Sequence, residues 1–454
     1  MQSFEPIAAV STPYGKGGIA VVRMSGEGAI ALASKMFVLR SGKSLNDVDG
    51  GRAVYGDVYL NGERIDDGIA TVFRSPNSFT GEDTVEISCH GGILITQQVL
   101  SAALTCGFRA ATGGEFSKRA FLNGKMSLSK AEAVIDVIDA ENNEQLRLSS
   151  SISEGVLGRS VDGICEKLSD ALASVYAYID YPDEDLTDMS VSELTCAIQE
   201  IRTNVFDLCS SYKTGRAVKE GVKTAIVGKP NAGKSSLLNR FLGYDRAIVT
   251  DIPGTTRDTL EETVSVGRVT LRLCDTAGIR STDDVVERIG VERSLKAIDT
   301  AELIIAVFDG TSDFDGLDNS IVEKLSTVNA EIVCVINKCD VSDKIIDLPY
   351  KTFSVSAKNG DGISSLEAYI SRLYVEEKLD YRSTPIIANA RQYAAVSNAL
   401  VHIDNALQAL YSGFTQDVAG MDLEAALSSL KEIDGRDVTE DITDKIFSRF
   451  CVGK

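Results

Sequence analysis

Gly228-Lys229-Pro230-Asn231-Ala232-Gly233-Lys234-Ser235 sets two glycines, a lysine and a hydroxyl at the spacing G-x-x-x-x-G-K-[ST]. Glycines at these places let the backbone turn its N–H groups inward around phosphate oxygens. Lys234 can then reach the β- and γ-phosphates of a nucleoside triphosphate, and the Ser235 hydroxyl can sit on Mg2+. Asn231, Ala232, Gly233 and Ser236 would border the same phosphates. Alone, the octapeptide could be a Gly-rich turn. Its setting argues otherwise. A β-rich apolar run, residues 222–227, precedes it, and a helical pattern with Leu237, Leu238 and Phe241 on one side follows. The start of that helix turns its positive end to the same place.

Three further stretches select the nucleotide. Asp275-Thr276-Ala277-Gly278 follows a strand-like run, residues 269–274, which places Asp275 to hold Mg2+ directly or through water. Asn337-Lys338-Cys339-Asp340 follows the apolar run 332–336. Guanine offers two neighbouring donors, and an ionised carboxylate such as Asp340 accepts from both. Ser356-Ala357-Lys358 ends a third strand, where a backbone N–H can meet the guanine oxygen. In this order, at the carboxyl ends of strands, the set specifies a GTPase. Between them lies Thr250-Asp251-Ile252-Pro253-Gly254-Thr255-Thr256, a polar loop whose threonines can reach Mg2+ while a γ-phosphate is present. One position departs from many small GTPases. Ile279 follows the D-x-x-G motif where a Gln often orients the attacking water. An alkyl chain cannot do this, and Glu287, in the charged segment 280–290, is one candidate for the task.

These loops need strands and helices to hold them, and residues 217–378 alternate the two as a P-loop domain does. Residues 1–118 read differently, as short β runs at 7–10, 19–23, 53–60, 69–73 and 84–89 with helices near 28–36 and 93–105, a small α+β domain. Gly15-Lys16-Gly17-Gly18-Ile19-Ala20 formally matches a dinucleotide fingerprint, but it leads into the β run IAVVR, so a hairpin-like turn is the better account. Arg23 and Glu86 lie on β runs, and by themselves read as surface groups. From about residue 116 the pattern is helical. Ser129-x-x-Glu132 reads as a capping box, residues 182–185 as a break, and residues 191–212 as a further helix. Helical periodicity returns at 386–412 and 422–434, Gly435 ends a helix, and Thr439 caps the next. Amphipathic helices on both sides of the P-loop segment imply one helical domain with the GTPase domain inserted into it.

The 454 residues, 44% of them hydrophobic, suffice for two or three domains. With 46 basic and 66 acidic residues the net charge is −20, a field that repels nucleic acid, so RNA contact needs a local basic patch or a basic partner. Nine scattered cysteines without a C-x-x-C pair suit free thiols, and His90 and His402 are the only histidines, which disfavours a His-based metal site. With no signal peptide and no apolar run of bilayer length, the expected address is cytoplasmic, away from membranes. Cys451, in the final Phe450-Cys451-Val452-Gly453-Lys454, is either a small apolar filler or a reactive thiol.

The whole chain resembles the tRNA modification GTPase family MnmE, also called TrmE. The resemblance rests on GKPNAGKSS, DIPGTTRD, DTAGIR followed by ERIG, NKCD, SFTGEDTVE with HGG, GEFSKRAFLNGK and the final CVGK. It implies an α+β folate-binding and dimerisation domain at 1–118, an all-α helical domain at 119–216 and 379–454, and an inserted α/β P-loop GTPase domain at 217–378. It implies a homodimer and a flavoprotein partner, MnmG, in a heterotetramer or larger complex. The pair would add an aminomethyl or carboxymethylaminomethyl group to the wobble uridine of tRNA, from a tetrahydrofolate in the 5-formyl or methylene form. By position, Arg23, Glu86, Lys125 and Lys454 become folate contacts, and Cys451 lies beside the one-carbon carrier. Asn231, Thr250, Ile252 and Thr255 match K+ ligands, Ser235 and Thr256 match Mg2+ ligands, and Glu287 matches a water-orienting glutamate. The cation would supply positive charge where an arginine finger acts elsewhere. The competing reading, an RNA-binding ribosome-assembly GTPase, calls for a basic RNA-binding domain in place of acidic helical flanks.

Overall fold

The computed structural model describes residues 5–180, 190–244, 262–274, 298–448 and 450–453. The chain forms two compact units: Met1–Ile135 with Ser428–Lys454, and Asp136–Leu427.

The first unit is built on a seven-stranded sheet. Its strands are β1 (Ile7–Val10), β2 (Ile19–Ser25), β3 (Phe37–Leu39), β4 (Arg52–Leu60), β5 (Glu63–Phe73), β6 (Thr84–His90) and β7 (Arg109–Ala110), in the order β3-β4-β5-β6-β2-β1-β7. All neighbours are antiparallel except β1 and β7. Alternation explains the sheet. In β6, Val85, Ile87 and Cys89 are buried while Glu86 and Ser88 face the other way. The buried face joins Val22, Met24, Val58 and Val72 in one core, covered by helix Ile93–Cys106 through Val99, Ala102 and Ala103. The loop after β1 returns as antiparallel β2 and opens no helix, which removes the dinucleotide reading of residues 15–20.

The end of the chain completes this unit. Helix Glu440–Phe447 is followed by a short stretch in which Val452 pairs with Gly113 and the Cys451 carbonyl accepts the Gly114 N–H at 3.3 Å. Phe447 and Phe450 pack with Leu128 and Ala131. Gly453 has φ 96°, and a Cβ there would stand 2.2 Å from the Val10 carbonyl oxygen, so a side chain is excluded. The expected capping box at Ser129 does not form. Ser129 lies buried inside helix Leu128–Ile138 and donates to the Ile433 carbonyl at 2.7 Å, while Ser127 accepts the Lys130 N–H in its place.

The second unit joins helices to a six-stranded sheet. Its strands are β8 (Val222–Val227), β9 (Glu262–Val266), β10 (Val269–Leu273), β11 (Leu303–Asp309), β12 (Glu331–Asn337) and β13 (Lys351–Val355), ordered β13-β12-β11-β8-β10-β9. Five are parallel, and β9 is an antiparallel edge. The central β11, LIIAVFD, is buried almost throughout, as a parallel strand covered on both faces must be. Helix Val191–Ser210 begins at a Ser190/Glu193 capping box and buries Leu194, Ile198, Ile201, Val205 and Leu208. It stops at Ser210, not at residue 212, because a separate helix, Tyr212–Lys219, starts there. Helix Ala390–Tyr411, from beyond the sheet segment, packs on it. Arg202 pairs with Asp404, and the Tyr212 and Tyr393 rings stack at 4.3 Å. Helices from either side of the sheet segment therefore form one layer, with an α/β P-loop module inserted between them.

Candidate functional site

The phosphate loop leaves the carboxyl end of β8 and runs into helix Lys234–Tyr244. Lys234 turns its ammonium onto the loop, donating to the carbonyls of Gly228 at 2.8 Å and Lys229 at 3.0 Å. Asn231 has φ 62°, and its side chain is exposed together with Ser235 and Ser236. Gly233 has φ 98°, and a Cβ would fall 1.9 Å from Asn337 Nδ2, so this position admits only glycine.

Asn337 closes the site from the next strand but one. Its amide donates to the Ala232 carbonyl at 2.9 Å and its oxygen accepts the Ala357 N–H at 3.0 Å. One buried side chain thus ties the phosphate loop to the Ser356-Ala357-Lys358 loop. Asp340 is exposed at its tip, with Oδ1 accepting the Ser356 hydroxyl at 2.7 Å, and Ser356 in turn accepts the Asn359 N–H. The carboxylate is thereby fixed in orientation and keeps acceptor capacity for two donors of a base. Lys338, with φ 70°, pairs with Asp309 at 2.6 Å. Burial pushes the Asp309 carboxyl up, but Lys338 and Thr311 outweigh it and hold it below the usual range. The expected residues at β8, β12 and β13 are therefore brought to one edge of the sheet. Thr250, Asp251, Ile252, Pro253, Gly254, Thr255, Thr256, Asp275, Thr276, Ala277, Gly278 and Glu287 lie outside the described residues, as does Lys454.

A second cluster forms in the first unit. Arg23 on β2 lies opposite Glu86 on β6, with Nε 2.8 Å from Oε1. The same guanidinium reaches the Gly453 carbonyl at 3.4 Å and lies 5.4 Å from the Phe79 ring and 5.7 Å from that of Phe116. The Ser11 hydroxyl also donates to the Gly453 carbonyl, at 3.0 Å. Lys125 donates to the Pro76 carbonyl at 2.9 Å and packs beside Gly81. Arg23 and Lys125 thus border the same loop, residues 78–83. Cys451 is exposed on the terminal stretch. By contrast, burial pushes the thiols of Cys89 and Cys334 up to about 11 and about 12, which leaves them protonated and inert at neutral pH.

Sequence reasoning missed the support of this loop. Glu82 is held by the Ser25 hydroxyl at 2.9 Å and by Arg119 at 3.2 Å, and Arg119 also binds Glu115 at 2.8 Å. The motifs SFTGED and GEFSKR contain these residues, but no local periodicity pairs them.

A doubly covered parallel sheet, with a glycine-rich loop, an Asn-Lys-Cys-Asp loop and a Ser-Ala-Lys loop at its carboxyl edge, defines a P-loop GTPase, an enzyme that splits GTP. Its flanks define the class further. The family described as GTP-binding protein TrmE N-terminus matches residues 6–125, and the MnmE helical domain matches residues 128–451. The tRNA modification GTPases MnmE of Caldicellulosiruptor saccharolyticus and Thermotoga maritima are 39% and 40% identical over 99% of this chain and 100% of theirs. That of Clostridioides difficile is 39% identical over 99% of both chains. The chain belongs to the MnmE family of tRNA modification GTPases. The chain also aligns with an Aquifex aeolicus Era variant bound to GDP.AlF4-, at 26% identity over 40% of this chain and 66% of that one, with a TM-score of 0.27, too low to add weight. Among the described residues no helix is long and apolar enough to cross a membrane.

Proposed function

We propose that this chain is a K+-activated GTPase that works with the flavoprotein MnmG and tetrahydrofolate to add an aminomethyl or carboxymethylaminomethyl group to the wobble uridine of tRNA. The observation that carries the reading is the seating of Gly453 against Arg23. It puts a cation, the Glu86 carboxylate, two aromatic rings and the Cys451 segment around one loop, although 430 residues separate Arg23 from Gly453. A folate carries a carboxylate tail and a pterin edge of donors and acceptors, and this donor set suits both. In the reading, Arg23, Lys125 and Lys454 bind the anionic and carbonyl parts, Glu86 accepts from the pterin edge, and Cys451 stands beside the one-carbon unit that the folate supplies. Residues 1–118 form the folate domain, which dimerises, and the protein is cytoplasmic.

In the GTPase module, Asn231, Thr250, Ile252 and Thr255 would hold K+, and Ser235 and Thr256 would hold Mg2+. Amide, hydroxyl and backbone oxygens suit both hard ions. Lys234 binds the β- and γ-phosphates, Asp275 supports Mg2+, and Glu287 orients the attacking water. Asp340 reads guanine beside Ala357 and Lys358.

Two measurements test this. GTP turnover by the purified chain falls by about tenfold, roughly 1.4 kcal/mol in the barrier, when K+ is replaced by Na+ at equal ionic strength. Equal rates in the two salts remove the cation from the reading. Calorimetric titration with 5-formyltetrahydrofolate gives binding that Arg23→Ala weakens by about tenfold, the loss of one charge-assisted contact. A chain that binds no folate loses the one-carbon role and keeps the GTPase.

A further inference from the structure

The phosphate loop contains a second lysine that phosphate chemistry does not use. Lys229 Nζ lies 2.8 Å from Asp318 Oδ2 and 3.2 Å from Asp315 Oδ2. Its side chain is 12% exposed and that of Asp318 is 3% exposed. Asp315 already caps helix Gly316–Leu325, accepting the N–H groups of Leu317 and Asp318 at 2.9 and 3.2 Å. Asp318 completes the capping box, its Oδ2 accepting the Asp315 N–H at 3.2 Å as well as the Lys229 ammonium. It is buried, and its Oδ1 has no hydrogen-bond partner among the described residues. A buried carboxylate without a cation is costly, and the lysine opposite supplies its partner.

The segment that receives Lys229 also receives two other lysines. Lys338, of the guanine loop, pairs with Asp309 at 2.6 Å, and Asp309 accepts the Thr311 N–H at 2.9 Å. Lys344, just beyond the guanine loop, pairs with Asp313 at 2.8 Å and donates to the Ser312 carbonyl at 3.1 Å. Lysines from the phosphate loop, the guanine loop and its continuation thus converge on Asp309, Asp313, Asp315 and Asp318. The carbonyl of Lys229 is itself an acceptor of the Lys234 ammonium, so a shift at Lys229 is passed to the phosphate-binding lysine.

We infer that residues 309–318 are an abutment that fixes the spacing between the phosphate loop and the guanine loop, and that Lys229 and Asp318 are positioning residues for the nucleotide. Neither is placed to touch it. Holding both loops at the ligand's own spacing before it arrives removes an ordering cost from binding. The inference deepens the guanine-nucleotide reading and rests on it.

The test is titration of the full chain with a fluorescent GDP analogue. Lys229→Met weakens binding by about tenfold, and in turnover the loss appears in KM for GTP more than in kcat. Lys229→Arg, which keeps the pair, restores affinity. Lys229→Met alone leaves the buried Asp318 without its cation, so the double variant Lys229→Met with Asp318→Asn, whose amide oxygen can still accept the Asp315 N–H, is the control. It removes both charges, regains the melting temperature, and stays about tenfold weak. Wild-type affinity in the double variant overturns the inference, because the effect of the single change was then only on stability. Wild-type affinity in Lys229→Met overturns it directly. A wild-type chain that binds no GDP overturns the nucleotide reading as well, and is told apart by that result.

Discussion

Asp340→Asn lowers kcat/KM for GTP by about a thousandfold and makes xanthosine triphosphate the better substrate. Guanine presents a ring N–H and an exocyclic amine side by side, and a carboxylate accepts from both. Each hydrogen bond to a charged group is worth about 1.5–3 kcal/mol, so losing the charge on two of them costs on the order of 3–6 kcal/mol. Asn keeps the shape and can still accept the Ser356 hydroxyl, which now holds the carboxylate at 2.7 Å. Its amide, however, opposes the guanine amine with a donor. Xanthine has an oxygen where guanine has that amine, and an amide donor suits it. Turnover of the two nucleotides by the variant and the wild-type chain checks this. An unchanged ratio would mean that the guanine edge lies elsewhere.

Arg119→Met destabilises the first unit by about 3–5 kcal/mol, the typical cost of stranding a buried charge. The Arg119 side chain is 3% exposed and binds Glu82, Glu115 and the Glu5 carbonyl. Methionine fills most of the volume but leaves Glu82 without its cation and Glu115 with Arg109 alone. The same network sets an acid limit. Burial pushes the Glu115 carboxyl up, but Arg109, the Thr112 N–H and Arg119 pull it down to about 2. A carboxyl depressed in the folded state adds stability above its ordinary value of 4.5 and loses it as pH falls toward about 2. The wild-type unit therefore weakens across that interval, and Arg119→Met lessens the dependence, since Arg109 and the Thr112 N–H still hold Glu115. Hydrogen exchange in β2 and β6, followed from neutral to acid pH, reads both effects. Identical protection in variant and wild type would show that the network supports nothing.

The nucleotide loops were legible because their signals are local. A glycine, a lysine and a hydroxyl within eight residues, after an apolar run and before a helix, leave little choice of structure. Asn337, Asp340 and Ser356 fell at strand ends for the same reason. The parts that could not be read depend on distant partners. Three-residue β3 and the antiparallel edge β9 exist because neighbours receive them, and neither has a strong pattern of its own. Ser129 matched a capping spacing, yet Ser127 starts the helix, since Ser129 is drawn to Ile433. Arg23 and Glu86 looked like surface groups until the terminal stretch was laid beside them. Glu82 with Arg119, and Lys229 with Asp318, are ion pairs across loops, and nothing in the flanking residues announces them. The resemblance singled out Arg23 and Glu86 as folate contacts where periodicity could not, and the structure shows the two as an ion pair against the terminal stretch.

The first unit draws on both ends of the chain, and this separates the order of synthesis from the order of folding. A ribosome delivers β1 through β7 early, but Phe447, Phe450 and Gly453, which close the same unit, emerge much later. All of Asp136–Leu427 must be translated in between. At about 5–20 residues per second the nascent sheet waits on the order of tens of seconds with its Leu128 and Ala131 flank uncovered. The P-loop module has every strand it needs well before that. A polypeptide still on the ribosome can therefore hold a finished nucleotide module while the Arg23 cluster is still incomplete.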